Sequence, residues 1–532
     1  MIFMVLGICG LAWILKKWWY KSGGVLVEKQ GQDNKKVVVF GASQSGNKAM
    51  RRLEDFNIII EGFTDNNTKK WGKQFSGKPV FPPEEIFRDK DSYLIIISSV
   101  YEDEIMQQCL DAGMDKDSVY ILEDFIIRQT GIFMEQYSYL KGIKPYVNSR
   151  RTLVITVPNK NNEYSGVTSW MYSVAYGLAS INAKFIILTE DMGDEMPSCA
   201  VQHVIPYNSY AFEEDTGDGI RIRTGKDYPG LYKKETDSLV HMMLQNLPCT
   251  VITSETYGAE YVAAYILKKL FPELVKVVTV IHSDERARYK RGIWHEKDLD
   301  GYLCVAESSV EKWEKEYNVP SWKIFYHEFP VLCTGEGQHV YSKASGPVRL
   351  GFLGRLEVNA KRCDLLVKII QELEKKKINY SLSIAGEGSY KEELKKFIEE
   401  NSLQDRVELA GFVKHSSLGK FWNDKDICII TSDYEGSCTA VMEAMSYGVV
   451  PVVTNFSSAS RLVKDGVDGY IVPAGDYKGI ADKISSLSCS KDLIEKMGDI
   501  NKEKMSGKYS PEGYAAYLVK MQEEIWERSG IV

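Results

Sequence analysis

The chain has 532 residues, yet its ten cysteines include no Cys-x-x-Cys pair and its histidines number only seven. That spacing supplies neither a zinc frame nor a disulfide framework, and the thiols read as ordinary buried residues of a reducing compartment. A basic excess is also missing. Lys+Arg total 66 against 73 Asp+Glu, for a net charge of −7, and the two signs are interspersed as on solvated helix faces, which excludes a nucleic-acid surface. Long apolar runs are absent with one exception. Met1 to Leu15 carries no charge and is followed by Lys16, Lys17, Trp18, Trp19, Tyr20 and Lys21. As a helix this run is about 22 Å long, short of a bilayer core of about 30 Å unless the Trp/Tyr cluster extends it into the interface. It lacks the positive start and small-residue cleavage site of a signal peptide. Residues 1–22 are therefore expected to form a hydrophobic membrane-anchor helix, with an amphiphilic tail as the alternative. The lysines behind it would hold the rest at the cytoplasmic face of the membrane.

What is present is a long alternation of apolar strands and helices, the pattern of parallel sheets. Val37 to Phe40 leads into Gly41-Ala-Ser-Gln-Ser-Gly46 and a helix. A second strand, Ile58 to Phe63, ends near Asp65, and further strands follow at Leu94 to Ser98 and Val119 to Leu122. This defines a Rossmann-like module over 36–125, with a helical connector over 126–149. A second α/β run starts at Leu153 and a third at Val348, giving domains at 150–335 and 346–505. The stretch from about Phe329 to Gly346 lacks periodicity and is the expected hinge. Residues 506–532 carry the spacing of a helix docking back across the domains.

The most informative local pattern is Asp433-Tyr-Glu435-Gly-Ser-Cys-Thr-Ala-Val-Met-Glu443. Glu435 falls in a loop after the apolar strand Ile427 to Thr431, and Glu443 about one turn into the helix that the loop opens. Backbone N–H groups and a helix N-terminus there face an anion, with a carboxylate on each side. A nucleoside-diphosphate sugar suits such a site.

The order of motifs over 345–485 resembles the donor-binding domain of retaining glycosyltransferases of family 4, which have the GT-B fold. It is carried by Gly354-Arg355-Leu356, Lys361-Arg-Cys-Asp-Leu-Leu366, Gly386-Glu387-Gly388, Gly411-Phe412-Val413, the glutamate pair and Gly448-Val-Val-Pro451. The resemblance implies two facing Rossmann-like domains, preceded here by the smaller Rossmann-like module and the hydrophobic helix. It also implies transfer of a sugar from a UDP- or GDP-type donor to a glycan or polyprenyl-linked acceptor at a membrane surface, with retention and without a metal. Arg355 and Lys361 would neutralise the diphosphate, Glu435 would hold the transferred sugar and Glu443 the ribose. Gly354, Gly386, Gly388, Phe412, Gly436, Ser437, Cys438 and Thr439 would line the donor site. On the acceptor side, Gly166 matches the family's glycine-rich turn, and His282 matches a strand-end histidine facing the donor sugar, with Ser254-Glu255 fainter.

Three departures stand out. Gly436-Ser437-Cys438 replaces the usual Gly-Phe-Gly, and Glu328-Phe-Pro330 replaces the usual Asn-Gly turn at the hinge. One extra residue separates Arg355 from Lys361, so Arg362 is an alternative cation. In the N-terminal module, Gly41, Gly46 and Asp65 resemble a nucleotide- or NAD-binding pattern, the alternative being a docking or regulatory unit. Competing readings of the whole are a sugar-nucleotide epimerase of the same fold and a non-catalytic sugar-nucleotide-binding protein.

Overall fold

A computed structural model describes residues 35–54, 58–99, 101–122, 125, 137, 140, 144–157, 166–189, 204–206, 212–215, 220–223, 231–254, 258–282, 288–289, 292–293, 295–332, 339–343, 345–433, 435, 438–456 and 458–530. The expected anchor at 1–22 and most of the connector at 126–149 lie outside the described residues. Among the described residues no helix is long and apolar enough to cross a membrane. The chain divides into two compact units, Met1–Phe125 and Ile126–Val532.

The first unit is built on six strands: β1 (Lys36–Phe40), β2 (Ile60–Thr64), β3 (Gln74–Phe75), β4 (Lys78–Phe81), β5 (Tyr93–Ile97) and β6 (Val119–Ile121). Their order is β3-β4-β2-β1-β5-β6, with helices α1 (Gln44–Glu54) and α2 (Glu102–Asp111) as crossovers. Val38, Phe40, Ile95 and Ile97 fill its core. The β3–β4 hairpin, the one antiparallel pair of this sheet, is not among the expected strands. Its turn, Ser76-Gly77 with φ of +48° and +76°, is a two-residue hairpin signal that the short flanking strands obscure.

The second unit holds two doubly wound sheets. The first is ordered β15-β14-β13-β12-β7-β8-β9: β7 (Thr152–Val157), β8 (Phe185–Thr189), β9 (Val204–Pro206), β12 (Cys249–Ser254), β13 (Val275–Ile281), β14 (Gly301–Cys304) and β15 (Ile324–Tyr326), with a separate hairpin β10 (Phe212–Asp215) and β11 (Ile220–Arg223). Helices α3 (Gly166–Ser180), α4 (Leu231–Leu244) and α5 (Gly258–Leu270) belong to this half. The second sheet comprises β16 (Val348–Leu353), β17 (Tyr380–Ala385), β18 (Val407–Gly411), β19 (Ile427–Ile430), β20 (Val450–Thr454) and β21 (Tyr470–Val472), ordered β18-β17-β16-β19-β20-β21. Its helices are α6 (Asp364–Lys375), α7 (Lys391–Glu400), α8 (Thr439–Ser446), α9 (Tyr477–Ser488) and α10 (Lys491–Lys508), and the chain continues into α11 (Pro511–Arg528).

All pairs within these two sheets are parallel. The central strands TLVITV and ICII are buried at every position, as β-branched runs covered by helices on both faces should be. Strand order reverses between β16 and β19, which opens a crevice at the carboxyl ends of these strands.

Helix α11 does not stay with the domain that precedes it. Ser510 caps it by accepting the Gly513 N–H and Pro511 occupies its first turn. Tyr514, Ala515, Leu518, Met521, Gln522, Ile525 and Trp526 form its buried stripe. That stripe lies on the first half: Trp526 Nε1 donates to Thr250 Oγ1 at 2.8 Å, and Gln522 Nε2 to the Thr152 carbonyl at 3.2 Å. One apolar core runs from Leu153 and Trp170 through Met442 to Leu518 and Ile525, so the two halves share their interior.

Candidate functional site

The crevice between β16 and β19 is floored by three strand-end loops stitched together. The Gly354 N–H donates to the Ala385 carbonyl at 3.1 Å, Leu356 to Glu387 at 2.8 Å, and Gly386 to Gly411 at 2.8 Å. Such close approach leaves no room for side chains. A Cβ at Gly386 would lie 1.8 Å from the Gly354 carbonyl oxygen and one at Gly388 would lie 2.3 Å from that of Leu356, and both have positive φ. Phe412 stands exposed at the rim beyond β18.

Lys361 is presented between two left-handed residues, Ala360 (φ +64°) and Arg362 (φ +50°). Thr431 Oγ1 donates to the Lys361 carbonyl at 2.7 Å, and the Asp433 N–H to that of Ala360 at 2.9 Å, so the loop is tied to the end of β19. This brings Lys361 Nζ to 2.5 Å from Glu435 Oε1, which also accepts from Ser432 Oγ at 2.6 Å. Burial pulls the Lys361 ammonium down, but the Glu435 carboxylate outweighs it and the net shift is upward. Arg362, the alternative cation, is engaged elsewhere, with Asp364 at 3.0 Å and Asp433 at 3.2 Å. Arg355 lies at the exposed edge, 3.2 Å from Glu357.

Gly436 and Ser437 lie outside the described residues. Cys438 precedes α8 in a left-handed conformation (φ +38°) and is buried; burial, reinforced by Glu435, pushes its thiol up. Thr439 opens α8. Across the cleft Gly166 opens α3, and a Cβ placed on it would lie 3.5 Å from Thr439. Two helix N-termini thus converge, and the positive ends of their dipoles favour an anion between them. Glu443, one turn further along α8, is 1 % exposed and accepts a hydrogen bond from Ser169 Oγ of α3 at 2.7 Å.

His282 follows β13. Its Nε2 is 3.4 Å from Ser254 Oγ at the end of β12, and its ring lies edge-on to Trp170, with centroids 5.0 Å apart. Burial, with Arg288 nearby, pushes the imidazole down to about 3, so it is neutral at neutral pH. Glu255 lies outside the described residues. Two contacts at the cleft have no sequence signal of their own. One is the Ser169 bond to Glu443. The other is a stack of His415 on Tyr172, with centroids 4.5 Å apart and rings 23° from parallel. A serine three residues into a helix and a histidine after a strand are common everywhere, and only the packing of the two halves gives them meaning.

In the first unit Gly41, Gly46 and Asp65 do converge at the ends of β1 and β2. Asp65 differs from the expected ribose-facing acid, however. Its Oδ2 accepts from the Ala42 N–H at 2.9 Å and from Lys70 Nζ at 2.7 Å, and its Oδ1 from the Asn67 N–H at 2.8 Å.

Residues 338–504 match the family model of glycosyl transferases group 1, and residues 33–120 match that of C2185-like, N-terminal domains. A protein of Salmonella typhimurium named as the colanic acid biosynthesis glycosyltransferase WcaL is 26 % identical over 339 residues, 58 % of this chain and 82 % of the relative. The poly(ribitol-phosphate) alpha-N-acetylglucosaminyltransferase of Staphylococcus aureus is 30 % identical over 164 residues, 31 % of this chain and 33 % of the relative. Among solved structures, a mutant of S. aureus TarM in complex with fondaparinux, alpha-GlcNAc-glycerol and UDP superposes with a TM-score of 0.55 at 16 % identity, covering 70 % of this chain and 99 % of that one. HepE of Anabaena with UDP and glucose does so at 0.54 and 11 %, covering 70 % and 100 %. These likenesses show the GT-B fold.

Proposed function

We propose that this chain, whose residues 338–504 belong to glycosyl transferases group 1, is a retaining, metal-independent family 4 enzyme. It moves a sugar from a nucleoside-diphosphate donor to a glycan or lipid-linked acceptor in surface polysaccharide synthesis. The observation that carries this reading is the Lys361–Glu435 pair, held at the reversal of the β16–β19 sheet in front of the converging starts of α3 and α8.

The roles are those that the family resemblance implies, and the geometry supports them. An ammonium has three donors, so Lys361 can orient Glu435 and still reach a phosphate oxygen. With Arg355 and the helix N-termini it stabilises the charge that grows on the leaving diphosphate. Glu435, fixed by Lys361 and Ser432, would hold hydroxyls of the transferred sugar, and Glu443 the ribose. Neutral His282 faces the sugar from the other half as a hydrogen-bonding group. In the retaining reaction the bond from the anomeric carbon to the phosphate oxygen breaks as the acceptor oxygen bonds to that carbon on the same face. The departing phosphate oxygen takes the acceptor proton, so the protein supplies position and charge rather than a base.

A UDP-type donor is supported by the UDP in the structures of TarM and HepE. Residues 1–22 and their trailing lysines support a place on the cytoplasmic face of the membrane. The N-terminal module is read as a docking or regulatory unit, because Asp65 already holds the Ala42 and Asn67 N–H groups and Lys70 within the protein.

A screen of UDP-, GDP- and ADP-sugars by thermal shift, followed by NMR of the product's anomeric configuration, tests the reading. One donor at 100 times its Kd should raise stability by roughly 2.7 kcal/mol, and the configuration should be retained. Glu435→Gln should lower kcat at least ~100-fold, the loss expected for a preorganised charged contact to the reacting group, with the circular dichroism spectrum unchanged. Turnover near wild type in that variant would remove Glu435 from the reaction.

A further inference from the structure

The contacts that cross from α3 to the second half lie on one helical face. Ser169, Tyr172 and Ser173 are spaced i, i+3 and i+4, so their side chains are neighbours. Ser169 Oγ donates to Glu443 Oε1 at 2.7 Å. Its own carbonyl accepts from Ser173 Oγ at 2.9 Å, and that hydroxyl accepts the Leu332 N–H, also at 2.9 Å, from the segment that joins the two halves. Tyr172, one position away, stacks on His415. Glu443 is thereby connected through α3 to the interdomain segment. Ser169 and Glu443 are 4 % and 1 % exposed. A carboxylate so enclosed depends on hydrogen-bond donors for its orientation, and a charge-assisted bond in such surroundings is strong and directional.

We propose that Ser169 is a positioning residue for the donor's ribose. By holding Glu443 from the opposite half, it sets the direction in which that carboxylate meets the ribose hydroxyls, and makes donor affinity depend on the two halves lying together. The proposal rests on Glu443 being the ribose-binding acid. A carboxylate accepts up to about four hydrogen bonds, so a vicinal diol adds to the serine's bond rather than replacing it. A serine that only fastened two helices would affect every ligand of the cleft alike. A serine that orients Glu443 acts only on ligands with a ribose hydroxyl.

The test is a binding cycle on the full chain. Isothermal calorimetry measures UDP and 2′-deoxy-UDP, then GDP and 2′-deoxy-GDP, against wild type, Ser169→Ala and Glu443→Gln. Loss of the 2′-hydroxyl should weaken wild-type binding about tenfold, as for one hydrogen bond to a charged group. Ser169→Ala should weaken the ribonucleotide by a similar factor and lose less than about twofold more with the deoxy compound, as should Glu443→Gln. Where alanine leaves a cavity that impairs folding, Ser169→Thr and Ser169→Val, matched in shape, replace it, and only threonine should keep the 2′-hydroxyl discrimination. If Ser169→Ala retains the full discrimination, or binds the ribonucleotide as wild type does, the positioning role is overturned while the donor reading stands. If the wild type ignores the 2′-hydroxyl, the role of Glu443 falls with it. If neither UDP nor GDP binds the wild type, the donor reading fails as well.

Discussion

Cys438 holds a backbone conformation that glycine adopts freely and other residues adopt at a cost of about 1–2 kcal/mol, with φ +38° at the mouth of α8. The strain is kept where the loop that carries Glu435 meets α8. Substitutions there should reverse the usual order of helix-forming residues. Cys438→Gly should be more stable than Cys438→Ala by about 1 kcal/mol, read from urea midpoints at equal slope; an alanine variant at or above the glycine one would show that the strain is absent. At this scale the sequence was most legible where chemistry demands a residue type. Glu435 was named from the spacing of the glutamate pair and Lys361 from the family resemblance, and the two lie 2.5 Å apart; Gly386 and Gly388 sit where no side chain fits. Arg362 could not be separated from Lys361 by spacing. In the structure Arg362 pairs with Asp364 and Asp433, whereas Lys361 pairs with Glu435. Asp65 was legible as a strand-end acid but not as one engaged by the protein itself, since the Lys70 that pairs with it comes from a turn without periodicity.

Among the elements, α3 carries three distinct duties: its start faces α8, the turns that follow hold Glu443 and His415, and its end supports α11. Gly177 shows how tightly that last contact is made. In an exposed helix, glycine to alanine stabilises by about 1 kcal/mol. Here the new Cβ would lie 2.1 Å from the Pro511 carbonyl oxygen, so Gly177→Ala should instead destabilise by about 1–3 kcal/mol, the range for overpacking, as a lower denaturation midpoint. A stabilised variant would mean that α11 can shift aside. The large strands and α11 could be read from the sequence because β-branched runs and a capped apolar stripe are strong local signals. The hairpins β3–β4 and β10–β11 could not, being too short for a period-2 pattern to exceed chance.

On the scale of the whole molecule, the second half of the second unit buries two neutral histidines, of which His415 packs against Tyr172 of the first half. His415 is 6 % exposed and His339 8 %, and burial, for His339 together with Lys502, pushes both down to about 4. Unfolded histidine takes its proton near 6.5. Between about pH 6.5 and 4 the unfolded chain therefore binds more protons at these sites than the folded one, and stability falls as the pH drops through that window. Going from pH 7 to 5.5 should cost about 1 kcal/mol per histidine. His415→Phe, which keeps a ring against Tyr172 but cannot titrate, should lose about 1 kcal/mol less than wild type over the same interval in denaturant titrations. An unchanged slope would place the acid sensitivity elsewhere. That two doubly wound sheets would face one another was legible from the order of strands and motifs. The contacts that join them were not, because Ser169–Glu443 and Tyr172–His415 each pair residues more than two hundred positions apart.

The crossing of α11 has a consequence for how the chain is made. The sheet that begins at Thr152 is synthesised long before the helix that covers it, whose last anchor, Trp526, donates to Thr250. Domains ordinarily fold in the order in which they emerge. Here the earlier half must wait, with Trp170, Leu178 and its neighbours uncovered, until α11 has been added. A chain that lacks α11 would therefore spoil the half encoded first rather than the half that precedes the helix.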